Sequence, residues 1–323
     1  MGKGMKATAV AHPIQGLLKY HGFRDRERNV PAHDSISVCT APSRTTTTVA
    51  FGHEIDQVTV DDEPIDEEGA DRAREVLDLV RERAGIESGA RVVSENTFES
   101  NVGLGASASA YAALAKAAVD AAGLDLSRDE LSRLARRGAA SAARSVVGGF
   151  AHLHTATAPA AAVASPIPSG FDQDLRIVIA SLPERKYTSR AHTTTPESPY
   201  FEGRLAGVPE TTADLRTAIR SGDFQTTFGI AERESIELLG VTMTGPDGWL
   251  YWRPETLTVL DIARSLREEG VPVYFSADTG ATAYLNTTAE HVETVRKAIE
   301  AKSIPTRTWR VGGGVRAATT HLF

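Results

Sequence analysis

Cysteine is nearly absent. Cys39 stands alone among 323 residues, so no internal disulfide can staple the chain. Aromatic residues are scarce at 6%, which leaves few platforms for stacking nucleic-acid bases. Positive charge is not in excess: 35 Lys and Arg against 42 Asp and Glu give −7. That balance argues against a nucleic-acid binder with a broad basic face. It leaves room for a small anionic substrate, because a pocket needs only a few local cations. No apolar run reaches the roughly 18 residues of a membrane span. The nearest, TATAPAAAVA at 155–164, is short and broken by proline. The opening MGKGMKATAV holds no stretch apolar enough for a signal peptide. These absences lead us to expect a soluble, cytoplasmic protein with neither a membrane nor a nucleic-acid partner.

What is present is ordinary for a globular protein: 41% hydrophobic and 24% charged residues, over a length worth about two domains. The β-branched runs SISVCT (35–40) and TTTTVAF (45–51) predict strands. Ala73, Val76, Leu77 and Val80 form one stripe of a helix over 69–84, stopped by Gly85. A strand over 91–98, a glycine loop at 103–105 and an alanine-rich helix over 107–121 follow. Ser127 and Glu130 have the spacing of a capping box for a helix running to about Arg137. LRIVIASL (175–182) predicts a buried strand, and the polar stretch 183–212 reads as a loop at a domain boundary. The second half mixes helices near 213–221, 224–239, 255–269 and 289–301 with strands near 272–276, 281–286 and 306–311. The pattern predicts two α+β domains facing a shared cleft.

Four segments have the residues for chemistry. Gly103-Leu104-Gly105-Ala106-Ser107-Ala108-Ser109 lies between a strand and a helix. Glycines there let the backbone approach a phosphate, and the helix start offers unpaired N–H groups. The ordinary alternative is a tight turn with a serine cap; the segment is neither a Walker loop nor a GxGxxG fingerprint. Lys19-Tyr20-His21-Gly22 could meet an anion or be a solvated turn. Ser141 and Arg144 are three apart and share a helix face, and Arg suits carboxylate or phosphate. Asp278 follows an apolar strand and precedes Thr279-Gly280, where an Asp can orient or deprotonate a hydroxyl or close a turn. Among nine histidines, His152 and His154 would share a strand face; such a pair reads as ordinary strand residues before it reads as metal ligands.

Taken in order, these segments resemble the GHMP kinase superfamily, and within it the mevalonate diphosphate decarboxylases. The resemblance is carried by AHPIQGLLKYHGFRD (11–25), PAHDSISV (31–38), GLGASASAYAALA (103–115), LSRLARRGAASAARSVVGGFA (131–151) and YFSADTGA (274–281). It implies a GHMP kinase-like α+β fold with a ribosomal protein S5 domain 2-like N-terminal domain (1–185) and a GHMP C-terminal domain (186–323). The active site is then expected in the cleft between them. It also implies ATP and Mg2+ as cofactors and a homodimer.

The family's Asp, Lys and Arg around the substrate map onto Asp278, Lys19 and Arg144, and Tyr20, Ser141 and Arg190 match positions at the 5-phosphate end. Gly103, Leu104, Gly105, Ala106, Ser107 and Ser109 match the ATP phosphate loop, with Ser107 near the metal. Ser94 and Asn96 lie in the stretch of the adenine contacts. Two departures matter. The family's KYWGK reads KYHGF here, so His21 replaces Trp and Phe23 replaces a Lys that helps hold the diphosphate. GSGSACRS reads GAASAARS, so Ala139 replaces a serine. Losing a cation and a hydroxyl implies a less charged substrate. KYHG with AHPIQG looks like the archaeal-type phosphomevalonate decarboxylases, which convert mevalonate 5-phosphate to isopentenyl phosphate in isoprenoid synthesis. The competing expectations are the diphosphate decarboxylase, a kinase that stops after phosphorylation, and a non-catalytic metabolite binder.

Overall fold

The β-branched and apolar runs build two large sheets, beside a two-stranded ribbon of the third and fourth strands. A computed structural model describes residues 5–98, 104–155, 158, 161–182 and 192–323. In its first half the strands are β1 (Lys6–Ala11), β2 (Ile14–Leu18), β3 (Phe23–Asp25), β4 (Val30–Pro31), β5 (Ser35–Ala41), β6 (Thr45–His53), β7 (Gln57–Val60), β8 (Glu63–Pro64) and β9 (Gly89–Asn96). Then come β10 (Phe150–His154), β11 (Val163–Ile167), β12 (Leu175–Ala180), β13 (Val273–Ala277), β14 (Ala283–Thr288), β15 (Thr306–Val311) and β16 (Arg316–Ala318). The helices are α1 (Glu67–Ala84), α2 (Ala106–Ala121), α3 (Arg128–Gly138), α4 (Ala142–Val147), α5 (Phe201–Ser221), α6 (Phe224–Met243), α7 (Pro254–Glu268) and α8 (Val292–Glu300).

One sheet runs β16-β1-β6-β9-β7-β8; the other runs β11-β10-β5-β15-β12-β14-β13, with β2 also paired to β5. The last strands return to the first: β16 pairs with β1 and β15 with β5. Helices α1, α2 and α3 cover the first sheet through Val76, Leu77, Ala112, Ala117 and Leu134. The alanine stripe of α2 buries small side chains, so this helix lies close over β1 and β6. On the second sheet, Leu215, Ile219 and Phe228 of α5 and α6 meet Leu17, Ile36 and Ile177. Val259, Leu260, Val295 and Ile299 of α7 and α8 bury the face presented by Val178, Phe275 and Leu285.

The expected Gly85 stop and Ser127–Glu130 capping box are present, and Asp66 adds an N-terminal cap. Asp66 accepts from the Gly69 N–H at the start of α1, Gly85 closes it in the left-handed conformation, and Ser127 with Glu130 forms the capping box of α3. The stretch 183–212 differs from its reading as a loop. Residues 183–191 lie outside the described residues, but α5 begins at Phe201 and runs through Pro209 to Ser221. Gly203, Gly207 and Pro209 hide this helix from periodicity. Packing against α6 and the buried Arg204–Glu234 pair hold it.

Candidate active site

Four chain segments end at one cavity of about 140 Å3. They are the residues after β2, the start of α2, the start of α4, and the residues after β13. The cavity is lined by Lys19, Tyr20, Leu104, Gly105, Ala106, Ser107, Ser141, Arg144 and Asp278, all expected site residues, together with Ile14, Gly16, His21, Ala108, His192 and Thr279. Gly103 and Arg190 lie outside the described residues. Ser109 is fully buried, and its hydroxyl bonds Thr45 Oγ1 at 2.7 Å, tying α2 to β6. Ser94 and Asn96 sit on β9 away from this cavity. Ser94 Oγ bonds Thr47 Oγ1 at 2.8 Å, and Asn96 Oδ1 accepts from Thr45 Oγ1 at 2.6 Å.

Local backbone geometry brings the segments together. Gly105 has φ +71°, and no side chain caps the first turn of α2 behind it. A Cβ on Gly105 would collide with the Ile14 carbonyl. The start of α2 therefore lines the cavity with Gly105, Ala106 and Ser107, and helix-start N–H groups beside a serine hydroxyl are the donors a phosphate chain needs. Gly16, at an irregularity in the β2–β5 register, donates its N–H to Asp278 Oδ1 at 3.3 Å. A Cβ there would lie 3.1 Å from that oxygen and 2.8 Å from Lys19 Cγ. Its absence lets β2 and β13 converge.

The two basic groups are held differently. Lys19 is buried, and its Nζ donates to Ser235 Oγ at 3.0 Å. Ser235 Oγ also accepts from the Ala277 N–H at 3.2 Å, so one hydroxyl of α6 spans the lysine and the strand that ends at Asp278. At the preceding residue, Glu234 Oε1 accepts from the Lys19 N–H at 2.9 Å, while Arg204 bonds both Glu234 and the Lys19 carbonyl. Burial alone would raise the Glu234 carboxyl, but Arg204, and then Lys19, hold it below its usual value. Arg144 is 3% exposed, yet its Nε and Nη1 have no hydrogen-bond partner among the described residues. Its nearest compensation is the Tyr20 ring, 5.8 Å away. Burial lowers its pKa, opposed by Tyr20, Asp278 and Cys39. Burial likewise pushes the Tyr20 phenol up to about 12, keeping it neutral.

The two unusual positions of KYHGF also meet. The His192 ring stacks on Tyr20 at 5.1 Å and lies 5.2 Å from His21 and 4.8 Å from Phe23. An aromatic collar occupies this end of the cavity. Sequence reasoning missed Gly16, His192, Arg204, Glu234 and Ser235. Gly16 lies within the AHPIQGLLKYHGFRD motif and His192 two residues from Arg190; Arg204, Glu234 and Ser235 carried no nearby signal.

A family model described as the diphosphomevalonate decarboxylase-like N-terminal domain matches residues 11–164. Phosphomevalonate decarboxylase of Haloferax volcanii is 49% identical over 312 residues, 96% of each chain. The chain belongs to the diphosphomevalonate decarboxylase-like family. A crystal structure of mevalonate diphosphate decarboxylase from Staphylococcus aureus is 28% identical, covers 97% of this chain and 98% of its own, and superposes with a TM-score of 0.91. A solved chain described as MDDEF in complex with MVAPP, AMPPCP and magnesium is 30% identical, covers 98% and 99%, and has a TM-score of 0.90. The α+β architecture of this family member is thus the GHMP kinase-type fold that its motifs imply. Among the described residues, no helix is long and apolar enough to cross a membrane.

Proposed function

We propose that this protein is an ATP-dependent phosphomevalonate decarboxylase, converting mevalonate 5-phosphate to isopentenyl phosphate with release of ADP, phosphate and CO2. The observation that carries the reading is the convergence on one small cavity of Asp278, Lys19 and the buried Arg144, whose Nε and Nη1 have no hydrogen-bond partner among the described residues. A buried cation with unmade hydrogen bonds is costly to the fold, and a site that binds a small dianion has a use for it. The 49% identity to a phosphomevalonate decarboxylase supports the choice of substrate. So does the collar of His21, Phe23 and His192, which sets aromatic rings where the resemblance expects a lysine for a second phosphate.

The uncapped start of α2, with Gly105 and Ser107, fits a nucleotide's phosphates and their metal. ATP with Mg2+ supplies the phosphoryl group that makes a tertiary hydroxyl a leaving group. Asp278, fixed by the Gly16 N–H, accepts the 3-hydroxyl's hydrogen bond and takes its proton as the oxygen attacks. Lys19 faces the negative charge that builds there, held in place by Ser235. Arg144 holds the substrate carboxylate and then the departing phosphate. The electron pair of the C–CO2 bond becomes the new double bond as phosphate leaves with the C–O pair. Tyr20 and Ser141 hold the 5-phosphate end with Arg190. Ser94 and Asn96 serve the adenine end, and Ser109 supports the phosphate loop from within. A homodimer in the cytoplasm belongs to the same reading and rests on the resemblance alone.

The test offers mevalonate 5-phosphate and mevalonate 5-diphosphate separately, with ATP and Mg2+, and follows ADP and CO2. Equal ADP and CO2 from the monophosphate alone is the expected result. Turnover of the diphosphate alone would overturn the substrate assignment. ADP without CO2 would leave a kinase.

A further inference from the structure

Away from the cavity, three ligating side chains gather where β5 begins and β10 ends. The register Leu153↔Ser35 sets Asp34 beside the end of β10. His152 and His154 project from one face of that strand, two residues apart. Their rings lie 3.7 Å apart, tilted by 42°. Asp34 Oδ2 is 2.8 Å from His152 Nε2, and Asp34 Oδ1 accepts from Thr155 N and Thr155 Oγ1 at 2.8 and 2.7 Å. His154 Nε2 is 2.8 Å from Ser165 Oγ. One ligand atom from each of Asp34, His152 and His154 lies within 4.8 Å of the others.

We propose that Asp34, His152 and His154 form a binding site for a divalent transition-metal ion of the zinc class, separate from any metal carried with a nucleotide. A carboxylate only accepts hydrogen bonds, so His152 Nε2 is the donor to Asp34, and a divalent ion takes the place of that shared proton between ring and carboxylate. Two imidazoles and one carboxylate are the donors of zinc and its neighbours; Mg2+ prefers oxygen alone. Bonds of about 2.1 Å set tetrahedral ligand atoms roughly 3.4 Å apart, so the cluster needs to close by about an ångström. His154 and Asp34 are half-buried, which leaves them room to turn and the ion a way in. The bound ion would clip the head of β5 to the end of β10, with Thr155 orienting the carboxylate.

The experiment uses tag-free, metal-stripped protein without nucleotide. Co2+ should bind one-to-one with visible d–d absorption, displaced by Zn2+, and Zn2+ should raise Tm where Mg2+ does not. His154→Gln keeps a partner for Ser165 and should weaken Co2+ binding about 10- to 100-fold, leaving decarboxylation intact. Asp34→Asn should weaken it comparably and guards against a folding defect in the first variant. The proposal is overturned by the absence of a saturable d–d band. A band unchanged in both variants, or an equal Tm rise with Mg2+, also overturns it.

Discussion

Arg144→Met should make the protein more stable and nearly inactive. The wild-type side chain buries a guanidinium whose Nε and Nη1 lack partners. Each unmade buried donor costs about 1–3 kcal/mol. Against this stand the cation–π contact with Tyr20, worth about 1 kcal/mol, and the attraction to Asp278. Methionine follows a similar path, keeps the packing and removes both donors, for a net gain of roughly 1–2 kcal/mol. At about 2 °C per kcal/mol for a chain of this size, Tm of the ligand-free protein should rise by roughly 2–4 °C. The substrate loses a charge-assisted contact in a desolvated site, about 3–4 kcal/mol, or roughly 200- to 1,000-fold in kcat/KM. Differential scanning calorimetry without ligands, beside coupled ADP and CO2 assays, reads both quantities. A fall in Tm of more than about 5 °C would make Arg144 a structural residue. Turnover within tenfold of wild type would remove it from the substrate.

Three further expectations come from neighbouring groups. Asp278→Asn should retain nucleotide affinity by calorimetry with a non-hydrolysable analogue, yet lose about 1,000-fold or more in turnover; near-normal turnover would remove Asp278 from proton transfer. Glu234→Gln should leave Arg204 buried and under-compensated, costing about 3–5 kcal/mol in urea unfolding, and should lower kcat by loosening Lys19; an unchanged unfolding midpoint would refute the role given to this pair. Burial pushes the Cys39 thiol up to about 12 and the Tyr20 phenol likewise. Both pKa values rise on folding, so their contribution is intact below about pH 9 and is lost as pH rises toward 12. Stability should fall across that alkaline window, and native Cys39 should resist thiol reagents at pH 8; rapid labelling of the folded protein would contradict its burial.

Much of the site was legible because its signals are local. Ser141 and Arg144 share a helix face, and they meet at the start of α4. Asp278 follows an apolar strand, and β13 delivers it to the cavity. The glycine loop precedes an alanine-rich helix, and Gly105 takes the positive φ that such a loop needs. Only the second half of α5 was legible, as the helix near 213–221; over 201–212, Gly203, Gly207 and Pro209 argue against a helix that contact with α6 sustains. The support of Lys19 was not legible either, since Glu234 and Ser235 lie more than 200 residues along the chain from it.

Sequence alone determined what short-range physics governs: strand alternation, helix stripes, caps, turns, and the motifs that name the family. Tertiary structure decided which charges are compensated. Arg144 and Arg204 are both buried arginines on helices, and nothing local distinguishes them. Folding brings Glu234 to Arg204 and makes a structural pair that steadies Lys19. Among the described residues it gives Arg144 Nε and Nη1 no hydrogen-bond partner, and they stay so beside the Tyr20 ring. Hydrogen bonds and ion pairs act over a few ångströms in space, whatever their separation in sequence. The difference between a compensated arginine and one left with unmade hydrogen bonds at a cavity is therefore made by the fold.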